Sequence, residues 1–201
     1  MAIPKGDKDG LFTYKDYLSW PDDERWELIN GVAYNMSPAP ARRHQGILSY
    51  LSHRFVSHFD ERPCSVYIAP FDVLLPDLTQ FASDDEGDTV VQPDLVVVCD
   101  SAKLTRQGCT GAPDLVLEIL SPATAFKDME DKLRLYEHHG VREYWIVNPG
   151  NDTLMVYSMA PEAASARTYR KPVLYTAGDT VSPRIFPDLA IDLGRVFDRD
   201  R

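Results

Sequence analysis

Residues 112–148, APDLVLEILSPATAFKDMEDKLRLYEHHGVREYWIVN, decide the fold. LVLEIL (115–120) is a short, nearly continuous apolar run introduced by Pro-Asp, which predicts a buried central strand. A helix is predicted over about 125–139, with Thr124 as its N-cap and Gly140 closing it, before REYWIVN (142–148) supplies a second strand. Strand, helix and strand so closely spaced make a βαβ unit, whose crossover is right-handed.

Working outward, LVVVC (95–99) repeats the pattern of an apolar run behind Pro-Asp and predicts another central strand. SVYIAPFDVLL (65–75) reads as one strand whose internal Pro70 marks an edge or a bulge. In 41–59, Ile47, Leu48, Leu51 and Phe55 recur at helical spacing, so this is an amphipathic helix with His44 on its inward side. Asn30-Gly31 between two apolar-rich runs signals a hairpin with a type I′ turn. TYKDYLS (13–19) reads as a short helix capped by Thr13 and ended by Pro21. TLMVYSM (153–159) and KPVLYTA (171–177) add two strands before the chain ends near LGRVF (193–197). The expectation is an α/β, mixed α+β architecture.

A chain of 201 residues with no internal repeat and no Pro/Ser-rich linker is expected to form one domain. Hydrophobic residues at 44% suffice for a core, and no apolar run is long enough for a membrane span or a signal peptide. Cys64, Cys99 and Cys109 form no C-x-x-C pair, which suggests neither a disulfide framework nor a zinc cage and points to the reducing cytoplasm. The acidic segment at about 77–90 reads as a solvated, mobile loop with no assigned function. A net charge of −10 argues against a general nucleic-acid coat. The helix at 41–59 is the local exception, because it carries Arg42, Arg43, Arg54 and three histidines without one acid.

The chemistry lies in polar residues set inside apolar strands. Alternation puts Asp114, Val116, Glu118 and Leu120 on one face of the strand at 115–120, so Glu118 sits mid-strand among apolar neighbours. A carboxylate there is costly unless paired, hydrogen-bonded or bound to a metal. Asp94 opens the neighbouring strand, and although a lone Pro-Asp is commonly just a turn, Lys132 on the following helix completes a set. Two carboxylates on adjacent strands suit a hard divalent cation, and a lysine suits the charge that develops on a phosphoryl group. Tyr136 shares the helical face of Lys132 and could add a hydroxyl.

VQPDLVVV (91–98), APDLVLEILSPAT (112–124) and GVREYWIVNP (140–149), with RWELINGVAYNMSPAP (25–40) and His44 upstream, resemble the Uma-type restriction endonuclease domain family. That family belongs to the PD-(D/E)xK nuclease superfamily, and the resemblance spans about 12–197. It implies a restriction-endonuclease-like core, a mixed sheet flanked by helices with an N-terminal hairpin and extra C-terminal strands, acting on DNA with Mg²⁺ or Mn²⁺. Asp94 matches the motif aspartate and Glu118 the second metal carboxylate, with the Ile119 carbonyl as a further oxygen. Leu120 stands where the superfamily's lysine would be, and the resemblance implies that Lys132 supplies that charge from the helix. Glu27 matches the acidic residue of the first hairpin and would complete the outer ligands. His44 and Tyr136 are secondary candidates, Arg42, Arg43 and Arg54 are expected phosphate contacts, and a homodimer is expected. Two competing readings are a non-catalytic binding or assembly module on the same fold, and glycoside hydrolysis by paired carboxylates.

Overall fold

The computed structural model describes residues 11–21, 24–36, 40–77, 83–122, 125–161 and 167–198. A short helix α1 (Tyr14–Tyr17), capped by Thr13 in a capping box with Asp16, precedes the hairpin of β1 (Trp26–Ile29) and β2 (Val32–Asn35). Asn30 and Gly31 both take positive φ, 49° and 75°, as a type I′ turn requires. The long helix α2 (Arg42–Phe59) follows, then β3 (Ser65–Ile68), β4 (Asp72–Leu74), β5 (Val90–Val91), β6 (Leu95–Val98), β7 (Gly108–Thr110) and β8 (Leu115–Ile119). Helix α3 (Lys132–His139) joins β8 to β9 (Glu143–Asn148), and β10 (Thr153–Ser158) and β11 (Val173–Thr176) complete the larger sheet. A ribbon of β12 (Thr180–Val181) and β13 (Ile191–Asp192) leads into α4 (Leu193–Phe197).

The strands form a six-stranded sheet, ordered β11-β10-β9-β8-β6-β3, and a five-stranded sheet, ordered β2-β1-β5-β4-β7. Both are mixed: β8 runs parallel to β9 as the crossover demands, β4 runs parallel to β7, and every other pairing is antiparallel. Period-two alternation then divides the core. Leu115, Leu117 and Ile119 face Ile47, Leu51 and Phe55 of α2 in one cluster. Val116 faces a second cluster with Tyr136 of α3 and with Val73 and Val91 of the smaller sheet. The smaller sheet and α3 therefore cover the face of the larger sheet that carries Glu118.

Several expectations are corrected. Residues 65–75 are two strands in different sheets, because Pro70, which has no N–H to give to a ladder, separates β3 from β4. Cys64 and Cys99 form a disulfide, since the β3–β6 register that pairs Ser65 with Val98 brings the next two residues face to face. The segment at about 77–90 is structured where it is described: Asp84–Glu86 makes a 3₁₀ turn and Val90–Val91 is β5. Tyr14 N–H donates to the Gly87 carbonyl and Gly31 N–H to that of Asp88, which fastens the acidic segment to the hairpin. Thr124, the expected N-cap, lies outside the described residues, and α3 is preceded by a π-helical turn, Lys127–Asp131. Among the described residues no helix is long and apolar enough to cross a membrane.

Candidate active site

The ladder between β6 and β8 runs from Val97↔Leu115 to Leu95↔Leu117 and stops there. The next positions are Asp94 and Glu118, and side chains take over from backbone at that point. Asp94 Oδ2 accepts the Ile119 N–H at 2.7 Å, while Glu118 Oε2 lies 3.4 Å from the Asp94 N–H. Pro93, which has no N–H, precedes Asp94 and favours this opening. His44 of α2 reaches Asp94 Oδ2 from the other side through Nε2, at 3.1 Å, and its Nδ1 is buried with no hydrogen-bond partner.

Lys132 arrives from the first turn of α3 and is 2% exposed. Its Nζ lies 2.7 Å from Glu118 Oε1, 2.7 Å from Glu27 Oε1 and 3.6 Å from Asp128 Oδ1. Tyr136, one turn further along, donates its hydroxyl to Glu118 Oε1 at 3.2 Å. Glu27, fully buried in β1, also receives Lys127 Nζ on Oε2 at 2.5 Å and the Gln92 N–H on Oε1 at 3.1 Å. The π turn makes this possible, because the Lys132 N–H bonds to the Lys127 carbonyl and i→i+5 bonding brings both lysines toward Glu27.

Burial drives the electrostatics. It pushes the Glu118 carboxyl up, to about 8; the Lys132 ammonium opposes that rise, and Asp128, Asp94 and Glu27 add to it. Burial also acts to raise the Glu27 carboxyl, but Lys132 and Lys127 together outweigh it and hold the group down at about 2. Desolvation alone would lower Lys132, yet Glu118, Glu27 and Asp128 hold it well above the ordinary lysine range. Lys132 is therefore a fixed cation rather than a proton acceptor.

The profile of the Uma2 family, described as "Putative restriction endonuclease", matches residues 14–194. The chain belongs to the Uma2 family. It is 26% identical to an uncharacterized protein of Synechocystis over 146 residues, 71% of this chain and 72% of the relative. Its fold is shared with the crystal structure of a putative nuclease belonging to DUF820 from Anabaena variabilis, at a TM-score of 0.71 and 20% identity. That likeness covers 93% of this chain and 98% of the other.

In this Uma2 protein six residues singled out from the sequence come together: Glu27, His44, Asp94, Glu118, Lys132 and Tyr136. Ile119 enters through its N–H, given to Asp94. Glu27 faces ammonium groups with both of its oxygens. Two arginines of α2 have partners outside this group. Arg43 pairs with Asp152 at 2.5 Å and Arg54 donates to the Ala190 carbonyl at 2.8 Å, so both fasten α2 to C-terminal elements. A charge tally along a helix does not register the acids and carbonyls that fold onto it. Sequence reasoning missed Lys127, Asp128 and Gln92. Asp128 was findable, one helical turn before Lys132, as was Gln92, two residues before Asp94. Lys127 was not, since five residues separate the two lysines and an ordinary α-helix turns them apart.

Mg²⁺ is commonly held by one or two carboxylates, with water and substrate phosphate completing its oxygen shell. Asp94 and Glu118 fit that donor set. No cluster of three or more His, Cys, Asp or Glu side chains that could hold a metal occurs among the described residues, so a cation here would rest on two carboxylates together with backbone, water or phosphate oxygens.

Proposed function

We propose that this Uma2 protein hydrolyses phosphodiester bonds in DNA with Mg²⁺ or Mn²⁺ held by Asp94 and Glu118. The observation that carries the reading is the 2.7 Å approach of Lys132 to Glu118, from an element other than the strand that bears the carboxylate. A lysine costs a great deal to bury, and here it is spent beside a strand-end carboxylate pair. When bound, the cation supplies Lewis-acid activation of water and neutralises charge on the phosphate. The remaining work falls to the chain. The Ile119 N–H and His44 fix the rotamer of Asp94, while Tyr136 and Lys132 fix that of Glu118. Lys132, held protonated, stabilises negative charge developing on the phosphoryl oxygens. Glu27 and Asp128 keep it charged and aimed.

The experiment is cleavage of single- and double-stranded DNA with Mg²⁺ or Mn²⁺, comparing wild type, Glu118→Ala and Lys132→Ala beside an EDTA control. Metal-dependent cutting lost in both variants is the expected result. Cutting that survives chelation, or that survives Glu118→Ala, would overturn the assignment.

A second reading, a nuclease fold that binds without turnover, draws support from Lys132 being enclosed by three carboxylates. Absence of both cleavage and metal binding on every substrate would favour it. We also propose that two copies act together, because two-fold symmetry directs two sites at two strands. Sedimentation showing only monomer at concentrations that cut duplex DNA would discard that part.

A further inference from the structure

At the opposite end of β8 and α3 from Glu118 and Lys132 lies a cavity of about 1060 Å³. Five cationic side chains line it: Lys103, Arg142, Arg167, Arg170 and Arg184. They come from four separate parts of the chain, and the fold brings them together. Among the described residues the lining carries one carboxylate, Asp114, which is engaged on both oxygens by Arg142 Nη1 at 3.0 Å and the Cys99 N–H at 2.8 Å. Arg167 packs beside Gly140, where a cation complements the C-terminal end of α3, and Lys103 Nζ donates to the Ala112 carbonyl at 2.7 Å. These contacts account for part of the charge, and buried Glu143 lies close to Arg184; among the described residues the lining still holds more cations than acids. Arg170 and Arg184 are exposed.

This concentration stands against a net charge of −10 for the whole chain, whose average field repels polyanions. At the catalytic end the two lysines are paired with Glu27, Glu118 and Asp128, and exposed Arg25 donates to Gln92 Oε1. On α2, Arg43 is paired with Asp152, whereas Arg54 donates to the neutral Ala190 carbonyl. The exposed cations of the cavity are available to a substrate made of phosphates.

We propose that this cavity is a phosphate-binding site that takes the backbone of the substrate nucleic acid, about 13 Å along β8 from the carboxylates. Its preference for phosphate rests on its own charges, and the assignment of those phosphates to nucleic acid rests on the nuclease reading. Guanidinium groups suit phosphate oxygens through paired N–H donors, and exposed ones can adjust to a moving strand.

The test is binding of a short fluorescent single-stranded DNA, followed by anisotropy in EDTA across a salt series, with tripolyphosphate calorimetry beside it. Wild type is compared with Arg170→Glu/Arg184→Glu and Arg170→Lys/Arg184→Lys. Charge reversal is expected to weaken DNA binding by about tenfold or more and to flatten the slope of log K against log salt by about 1.4. The lysine pair should keep most of the slope, and melting curves of both variants report on folding. Unchanged affinity and slope after charge reversal overturn the proposal. Loss of tripolyphosphate binding with DNA binding intact assigns the cavity to a free polyphosphate and overturns its role toward nucleic acid. Because EDTA removes turnover from the readout, a protein that binds through the cavity yet never cuts defeats the nuclease reading alone. One that cuts while indifferent to the cavity defeats this inference alone.

Discussion

Lys132 meets three buried carboxylates with a single ammonium, and the excess of negative charge is divided unequally among them. Glu27, which also holds Lys127, is the acid kept ionised; Glu118, with only part of one lysine, is the acid pushed toward protonation. Removing the shared cation should therefore be costly twice over. Lys132→Ala is expected to cut kcat by about 10²–10³-fold, the scale of losing one donor aimed at developing charge. A change confined to KM would show that Lys132 merely binds substrate. Glu27 makes a separate prediction through its titration. Its folded pKa, about 2, lies below the ordinary value of 4.5, so the unfolded chain binds more protons between those values. The stability it contributes is complete above about pH 4.5 and is lost as pH falls through about 2. Urea unfolding of wild type and Glu27→Gln as pH is lowered checks this, and the two proteins should converge in acid. A constant gap down to the lowest pH would contradict it.

At the scale of elements, the structure answers which parts of the sequence speak for themselves. The βαβ unit and the two Pro-Asp strands were legible because their apolar runs and breaker residues are local signals. So was the hairpin at Asn30-Gly31, since few residues tolerate two successive positive φ values. What escaped depends on partners distant in sequence. Nothing in SVYIAPFDVLL tells β3 to join one sheet and β4 another, and nothing in the spacing of Cys64 and Cys99 tells them to meet. The convergence that makes the candidate site was legible in Asp94, Glu118 and Lys132, whereas Lys127 depended on a local π turn that leaves no period in the sequence. The disulfide has a measurable consequence. It closes a loop of separation 35 between the edge strand β3 and its neighbour β6. Cys64→Ser/Cys99→Ser should lower unfolding free energy by about 3–4 kcal/mol under non-reducing conditions. Peptide mapping of the oxidised protein should recover the Cys64–Cys99 link with Cys109 unpaired. Equal stability of the variant and the non-reduced wild type would deny the link.

For the molecule as a whole, the candidate metal site is a junction. Glu27 comes from the smaller sheet, Asp94 and Glu118 from the larger one, Lys132 from the crossover helix and His44 from α2 on the opposite face. A ligand that engages Asp94 and Glu118 thus draws on a geometry that exists only when both sheets and both helices are assembled. Binding to the folded state alone raises stability by mass action, by about 2.7 kcal/mol when free ligand reaches a hundredfold excess over Kd. Titrating Mg²⁺ or Mn²⁺ into wild type should therefore raise Tm progressively without any substrate present. Asp94→Asn/Glu118→Gln, measured against its own EDTA baseline, should show no metal-dependent rise. Its metal-free Tm will differ from that of wild type, because both acids accept hydrogen bonds from His44, the Ile119 N–H, Lys132 and Tyr136. The diagnostic quantity is accordingly the metal-induced change within each protein, and an equal rise in both would place the cation away from the carboxylate pair.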